Sequence, residues 1–328
     1  MRINRLTVLL ILSILLLTPK PVTCDEASRL PIWLIHDWRG KDVNYLRNYR
    51  TMDSKFHAIK GGPKTPSRAG LSSLNISGSA QFGRMSLESI KTGLQSYSMI
   101  IVDLRQESHG FVNGLPVSWY QGRDQMNWGR SIEEIEAGEK GRLAALFKAR
   151  TIKVYTLTQP KDPPALKKGA DPMTVKVHTV STERELCEEL GIFYMRMPVP
   201  DYMRPSGRQV DRFIKLARAS GKNTWIHVHC EAGDGRTTAF LTMYDMMHNA
   251  RTVSFEDIVH RQWLLGGIDL MATNARAPWK REYARKRAEF IKKFYHYCRE
   301  NRDGFKTTWP AWLEGKTRLA HAASLPPE

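Results

Sequence analysis

The segment His229-Cys230-Glu231-Ala232-Gly233-Asp234-Gly235-Arg236-Thr237 brings a thiol, two glycines, a guanidinium and a hydroxyl into one short run. Each of these has a use in phosphoryl transfer. A thiolate can attack phosphorus and carry the phosphoryl group as a covalent intermediate. A guanidinium is a planar fork that matches two phosphate oxygens and grips them harder as the transition state forms. The preceding run, Thr224 to His229 (TWIHVH), reads as a buried strand, and Thr237 to Met247, apolar nearly all round, as a buried helix. The loop between them therefore gathers consecutive backbone N–H groups into an anion site, with the positive end of the helix behind it. Phosphate contacts are expected along Glu231, Ala232, Gly233, Asp234 and Gly235. The two glycines permit the tight curve and the close approach of a ligand. Cys230, at the start of the loop, sits where a thiolate is stabilised. Thr237 can donate to the sulfur and ease its departure. A merely structural cysteine would not explain why glycines, arginine and helix start arrive together.

A departing alkoxide needs a proton. Asp201, in the proline-bracketed segment Val199-Pro200-Asp201-Tyr202-Met203-Arg204-Pro205, is the best-placed donor, because such a loop can carry a side chain over the mouth of the anion site. A turn-capping role is its bland alternative. Asp211 and Asp245 lie inside helical segments and are weaker choices. His229 precedes the nucleophile and is expected to orient the loop by a hydrogen bond, and Asp103, at the end of its own strand, to tie the core or border the pocket.

These residues need a scaffold. Ser98 to Leu104 (SMIIVDL) reads as a buried parallel strand, and Ile192 to Val199 is a further strand candidate. Leu87 to Leu94, a stretch opened by Ser181-Thr182-Glu183, and Val210 to Ala219 have helical spacing. Ala284, Ala288, Ile291, Tyr295 and Cys298 mark one face of a long helix whose other face is basic, with eight Lys/Arg against two Glu from Lys280 to Arg299. Between Ser108 and Val180 short β-prone pieces alternate with turn residues, among them Arg150 to Leu157 and Met173 to Val180, which suggests a small antiparallel unit. Alternating strands and helices elsewhere predict an α/β layered sheet. Cys187 and Cys298 fall on apolar helical faces and are expected in the core.

Hydrophobic residues make up 41% of the 328 and charged residues 25%, an ordinary globular balance. The net charge of +17 is not ordinary and favours polyanionic partners. No recognisable nucleic-acid module accompanies it, and no Cys-x-x-Cys pair or His-rich cluster offers a metal site. Residues 1–24 resemble an export signal: Arg2 and Arg5, an apolar run from Leu6 to Leu17 too short for a typical span, then Pro19 and Pro21. That predicts a periplasmic or secreted protein with no membrane contact beyond the signal, lipidation at Cys24 being the second choice. Residues 25–328 are then one catalytic domain.

The string HCEAGDGRTTAF resembles the active-site loop of the protein-tyrosine-phosphatase superfamily and, more closely, that of the bacterial cysteine phytases, the protein-tyrosine-phosphatase-like myo-inositol phosphatases. Similar matches run from Asn48-Tyr49-Arg50-Thr51-Met52 through Gly78-Ser79-Ala80-Gln81-Phe82, Asp103-Leu104-Arg105-Gln106-Glu107-Ser108-His109-Gly110 and Trp279-Lys280 to Trp309-Pro310-Ala311-Trp312-Leu313, covering about residues 45–315. The resemblance implies a phosphatase α/β fold: a central mixed sheet flanked by helices, with a small inserted partial β-barrel at about 108–180. It implies hydrolysis of inositol polyphosphates such as phytate without cofactor or metal. Cys230 would be nucleophile, Arg236 phosphate clamp and Asp201 general acid. Arg50, Lys280 and Lys168 or its neighbour Lys167 would hold the other phosphates. The family often has His after the acid; here Tyr202 stands, able to donate to phosphate but bringing no charge. Two other readings share parts of the pattern: a phosphotyrosine-protein or phosphoinositide phosphatase, and a non-catalytic inositol-phosphate binder.

Overall fold

The computed structural model describes residues 32–37, 46–121, 124–156 and 172–323. The segment read as an export signal, and Lys167 and Lys168, lie outside them. A five-stranded sheet has the order β10 (Phe193–Val199), β4 (Ser98–Arg105), β11 (Thr224–His229), β3 (Ile76–Ser79) and β2 (Arg50–Thr51). The first four strands are parallel and β2 runs antiparallel at the edge. His229 pairs in register with Asp103 on one side and Ser79 on the other, so three strands end at one level. Ligands of parallel sheets gather outside such carboxyl ends.

Alternation along β4 sorts the two faces. Met99 and Ile101 pack with α1 (Arg84–Gly93) and α3 (Glu183–Glu189) through Leu87, Ile90, Leu186 and Cys187. Val102 and Leu104 point the other way, into the main core. That core is covered by α4 (Gly207–Ala219), α5 (Gly235–Asn249), α6 (Phe255–Leu264), α7 (Pro278–Glu300) and α8 (Trp309–Ala323). Helix α5 is buried from Arg236 to Met246 because the sheet lies on one side and α6 and α7 on the other. The expected face of α7, Ala284 through Cys298, is buried throughout. Among the described residues no helix is long and apolar enough to cross a membrane.

The stretch from 108 to 180 differs from the sequence reading. Its β pieces are present: β5 (His109–Val112) and β6 (Leu115–Tyr120) form a hairpin, β9 (Val180–Ser181) pairs with β5, and β7 (Thr151–Val154) pairs with β8 (Met173–Lys176). Strand β1 (Trp33–His36), from outside the stretch, joins β6 and touches Tyr155 through Ile35. Between β6 and β7, however, runs the 18-residue helix α2 (Ile132–Ala149). Its only buried residues are Ile135, Glu139 and Leu143, a face one residue wide and interrupted by an acid. Apolar periodicity is therefore weak there, although the Ser131–Glu134 capping box marks its start.

Buried charge joins the small sheet to the large one. Arg105 donates to Glu107, Asp37, Gln81 and Ser118, and Arg196 to Glu139 and to the backbone of Arg105 and Glu107. His109 Nε2 lies 3.3 Å from Asp103 and 3.2 Å from Glu183, while His229 Nε2 meets Glu183 at 2.7 Å. His229 thus leans on α3 rather than bonding within the loop, and Asp103 ties the core. Burial opposes charge on His109, but Asp103 and the hydrogen bonds to Asp103 and Glu183 outweigh it and hold the imidazolium up to about 10. His227 behaves oppositely. Burial, with His229 nearby, pushes it down to about 3. It accepts from Ser77 at Nδ1 (2.8 Å), Ser77 in turn accepting from the Trp225 indole, and donates from Nε2 to Ser79 (3.0 Å).

The two histidines make opposite contributions to stability. His109, raised, contributes fully below its unfolded value of about 6.5 and loses this as pH climbs through about 10. His227, depressed, contributes fully above about 6.5 and loses this as pH falls toward about 3. The melting temperature should therefore peak near pH ~6.5 and decline on both sides. His109→Gln should flatten the alkaline limb and His227→Asn the acid limb down to the carboxylate range. Melting curves across the pH range read this out, and limbs unchanged by either substitution would contradict it.

Candidate active site

The loop after β11 is shaped from outside. The carbonyl of Glu231 accepts from the Gln81 amide, that of Ala232 from Asn48 Nδ2, that of Gly233 from Arg50, and that of Asp234 from the Thr238 amide and hydroxyl. In a trans peptide the carbonyl and the next amide point in opposite directions. Four outward carbonyls therefore turn the amides of residues 232–235 inward, toward Cys230. Gly233, at φ +73°, lies so close to the Ser79–Ala80 backbone that a Cβ would sit 2.4 Å from the Ala80 nitrogen. Any side chain there would push the loop off the strand end. The Ser77–His227–Ser79 chain of hydrogen bonds braces the segment it rests on.

Cys230 is buried at the base, and the Thr237 hydroxyl can give its one hydrogen to Sγ at 3.2 Å or to Ser79 O at 3.4 Å. Arg236 reaches the same space from the first turn of α5. Its Nη1 and Nη2 donate to Glu107 at 2.7 and 2.8 Å, and Nη1 also to Val199 O. Nη2 lies 3.1 Å from Asp201 Oδ1. Nε is buried and has no hydrogen-bond partner among the described residues. Glu107 thus occupies the end of the guanidinium, and on the Nε–Nη2 edge, which suits two oxygens of an anion, Nε is unpartnered among the described residues while Asp201 stands opposite Nη2. Burial works against both partners, yet Arg236 draws Glu107 well below the carboxylate range and Glu107 raises Arg236 in return.

Asp201 and Tyr202 line the cavity of about 420 Å³ above Cys230. Tyr202 has φ +66°, a left-handed conformation that is uncommon for a non-glycine residue and places Asp201 at the mouth. Burial first, then Asp201, push the Tyr202 hydroxyl up, so it stays a neutral donor. The charge that Tyr202 does not bring is supplied by Lys280, whose ammonium lies 4.0 Å over its ring. The two weaker acids are occupied elsewhere: Asp211 accepts from the Trp309 amide, and Asp245 is buried against Arg261.

The loop residues Glu231, Ala232, Asp234 and Gly235 line the cavity, as do Tyr202 and Lys280, while Gly233 packs behind it. Arg50 does not line it. Its guanidinium is buried beneath the loop, donating to Asn48 O, Gly233 O and Thr238, and burial lowers its pKa to about 10. The sequence reading gave it a substrate contact; it supports the loop instead, because β2 pairs with β3 directly below. Three residues escaped that reading. Arg47 lines the cavity 3.5 Å from Glu231, and Arg287 abuts Gly235 from α7. Lys280, Ala284 and Arg287 all face the cavity at helical spacing, so Arg287 could have been found by counting from Lys280. Glu107 stood in the string 103–110, but nothing local says that its partner is Arg236. One described trio, Asp103, His109 and Glu183, has metal-ligand spacing; here His109 Nε2 pairs with both carboxylates, at 3.3 and 3.2 Å.

The family model of PTP-like phytases, described by inositol hexakisphosphate, matches residues 102–248. The solved PTP-like myo-inositol phosphatase from Mitsuokella multacida, in complex with myo-inositol-(1,3,4,5)-tetrakisphosphate, is 40% identical with a TM-score of 0.77, over 86% of this chain and 49% of that one. A PTP-like phytase from Bdellovibrio bacteriovorus is 33% identical with a TM-score of 0.66, over 90% of this chain and 97% of that one. The effector protein hopD2 of Pseudomonas syringae pv. tomato is 30% identical over 74% of this chain and 52% of its own length. The chain thus spans about half the length of the Mitsuokella protein and of hopD2. The likeness to the Bdellovibrio phytase extends over nearly all of both chains, so the chain belongs to the PTP-like phytase family, with its α/β phosphatase fold.

Proposed function

We propose that the protein hydrolyses phosphate monoesters of inositol polyphosphates, phytate among them, through a cysteinyl-phosphate on Cys230. The observation that carries this reading is the Arg236 edge, Nε and one Nη2 hydrogen, facing the same cavity as the inward amides and the thiol. A phosphate seated there puts phosphorus above Sγ. The thiolate attacks, the P–O bond to the inositol breaks, and Asp201 donates a proton to the leaving oxygen. Asp201, now a carboxylate, takes a proton from water as that water attacks the cysteinyl-phosphate. Phosphate leaves, and Thr237 steadies the returning thiolate. Arg47, Lys280 and Arg287 surround the mouth and suit the other phosphates of a multiply charged ring. A phosphotyrosine, with a single phosphate, has less use for them.

Incubating purified protein with phytate, with and without a chelator, tests this directly. Phosphate release in both is expected; no release, or release that depends on a metal, would overturn it. The acid has its own test. Asp201→Asn should lower kcat on phytate about 10²-fold or more, within the range for loss of a general acid. An aryl phosphate with a good leaving group should suffer far less. Equal losses on both substrates would remove Asp201 from the role.

A further inference from the structure

The acid loop has two sides. Its inner side, through Asp201 and Tyr202, faces the active site. Its outer side, through Pro200, Met203 and Arg204, forms one wall of a second cavity of about 530 Å³. This volume lies within the usual range of small-molecule sites. Four cationic residues line it from four separate segments: Arg130 before α2, Arg204 in the loop, Arg208 in the first turn of α4, and Lys286 on α7. Glu133 is the one acid in the lining. Lys286 lies 3.3 Å from Glu282, and Arg204 donates to Pro205 O, so part of this charge is shared locally. The first turns of α2 and α4 both border the cavity and add the positive ends of two helices.

A second feature narrows the ligand. Gln106 lines the cavity, and its side-chain oxygen is buried without a hydrogen-bond partner among the described residues. An acceptor of this kind suits a hydroxyl donor. A third feature links the two cavities. Tyr283, in the outer wall, meets Trp279 edge-on at 6.3 Å, and Trp279 meets Tyr202 edge-on at 4.9 Å. The chain of rings runs from the outer cavity to the residue beside the general acid.

We propose that this outer cavity is a second anion site for a small molecule bearing both phosphates and free hydroxyls, a partly dephosphorylated inositol phosphate being the class that fits, and that its occupant steadies the acid loop from behind. The assignment rests on the proposed activity, which would generate such molecules. It departs from that reading in placing one of them outside the active site.

The test uses the full chain carrying Cys230→Ser and calorimetric titration with inositol tetrakisphosphate. Two sites are expected. Adding Arg130→Gln and Arg208→Gln, both surface residues outside the active site, should weaken one site by about 10-fold or more, as expected for loss of charged hydrogen bonds, and leave the other within about twofold. Amide exchange at residues 203–209 should slow on ligand addition and lose that slowing in the variant. One site in both proteins, or two sites and exchange protection untouched by the substitutions, would overturn the second site. Phytate hydrolysis by the unmodified protein is measured alongside. Hydrolysis with a single binding site sinks only the second site. Two sites without hydrolysis sink only the catalytic reading. No binding in either protein sinks both.

Discussion

Cys230→Ser is expected to lose phosphate release from phytate by on the order of 10⁴-fold or more, while still binding the substrate. The reason lies in what the site can and cannot supply to the replacement. The inward amides, the helix end and Arg236 remain, because they are held by Gln81, Asn48, Arg50 and Glu107 and not by the thiol. They can still cradle a phosphate. A serine hydroxyl does not ionise near neutral pH, and the hydroxyl that reaches position 230, that of Thr237, is a donor and not a base. Single-turnover assays and calorimetry with the same preparation separate the two effects. Release at an unchanged rate would remove Cys230 from the mechanism, and loss of binding along with release would point to a collapsed loop.

The next largest effect is expected at Glu107. This carboxylate accepts from both Nη atoms of Arg236 and from Nε of Arg105, in a setting almost closed to water. Removing one partner from a buried pair leaves the other charge uncompensated and typically costs about 3–5 kcal/mol. Glu107→Gln keeps the size but removes the charge and turns a donor toward one guanidinium. The melting temperature should fall clearly, and kcat/KM should fall about 10²-fold or more, since Arg236 loses its fixed orientation. Glu107→Asp retains charge with a shorter reach and should fall between. A role confined to stability would lower the melting temperature and leave kcat/KM intact on protein that remains folded at the assay temperature. A positioning role lowers both.

The strand–loop–helix that carries Cys230, Arg236 and Thr237 was legible because it is contiguous. Its residue types, turn glycines and flanking periodicities all act within a few positions of one another. The same holds for α7, whose apolar face repeats over four turns, and for the parallel strands, whose apolar runs are short and clean. Helix α2 was not legible by that route. Its buried face is Ile135, Glu139 and Leu143, and the buried Glu139 is partnered by Arg196, 57 residues on, and by the His109 amide, 30 residues back.

The thiol, its arginine, its helix and the candidate acid are thus properties of local sequence. What surrounds them is not. Glu107 lies 129 residues from Arg236, and Arg50 lies 183 from the loop carbonyl it holds. Arg47 and Arg50 are three residues apart, of one type, yet one lines the cavity and the other lies under the loop. No local pattern distinguishes them. Register against β3 decides which one faces the loop from below, and only packing of the whole sheet sets that register. Pairing between distant charges depends on where the chain places each group and how far it removes them from water, and both are outcomes of the tertiary fold.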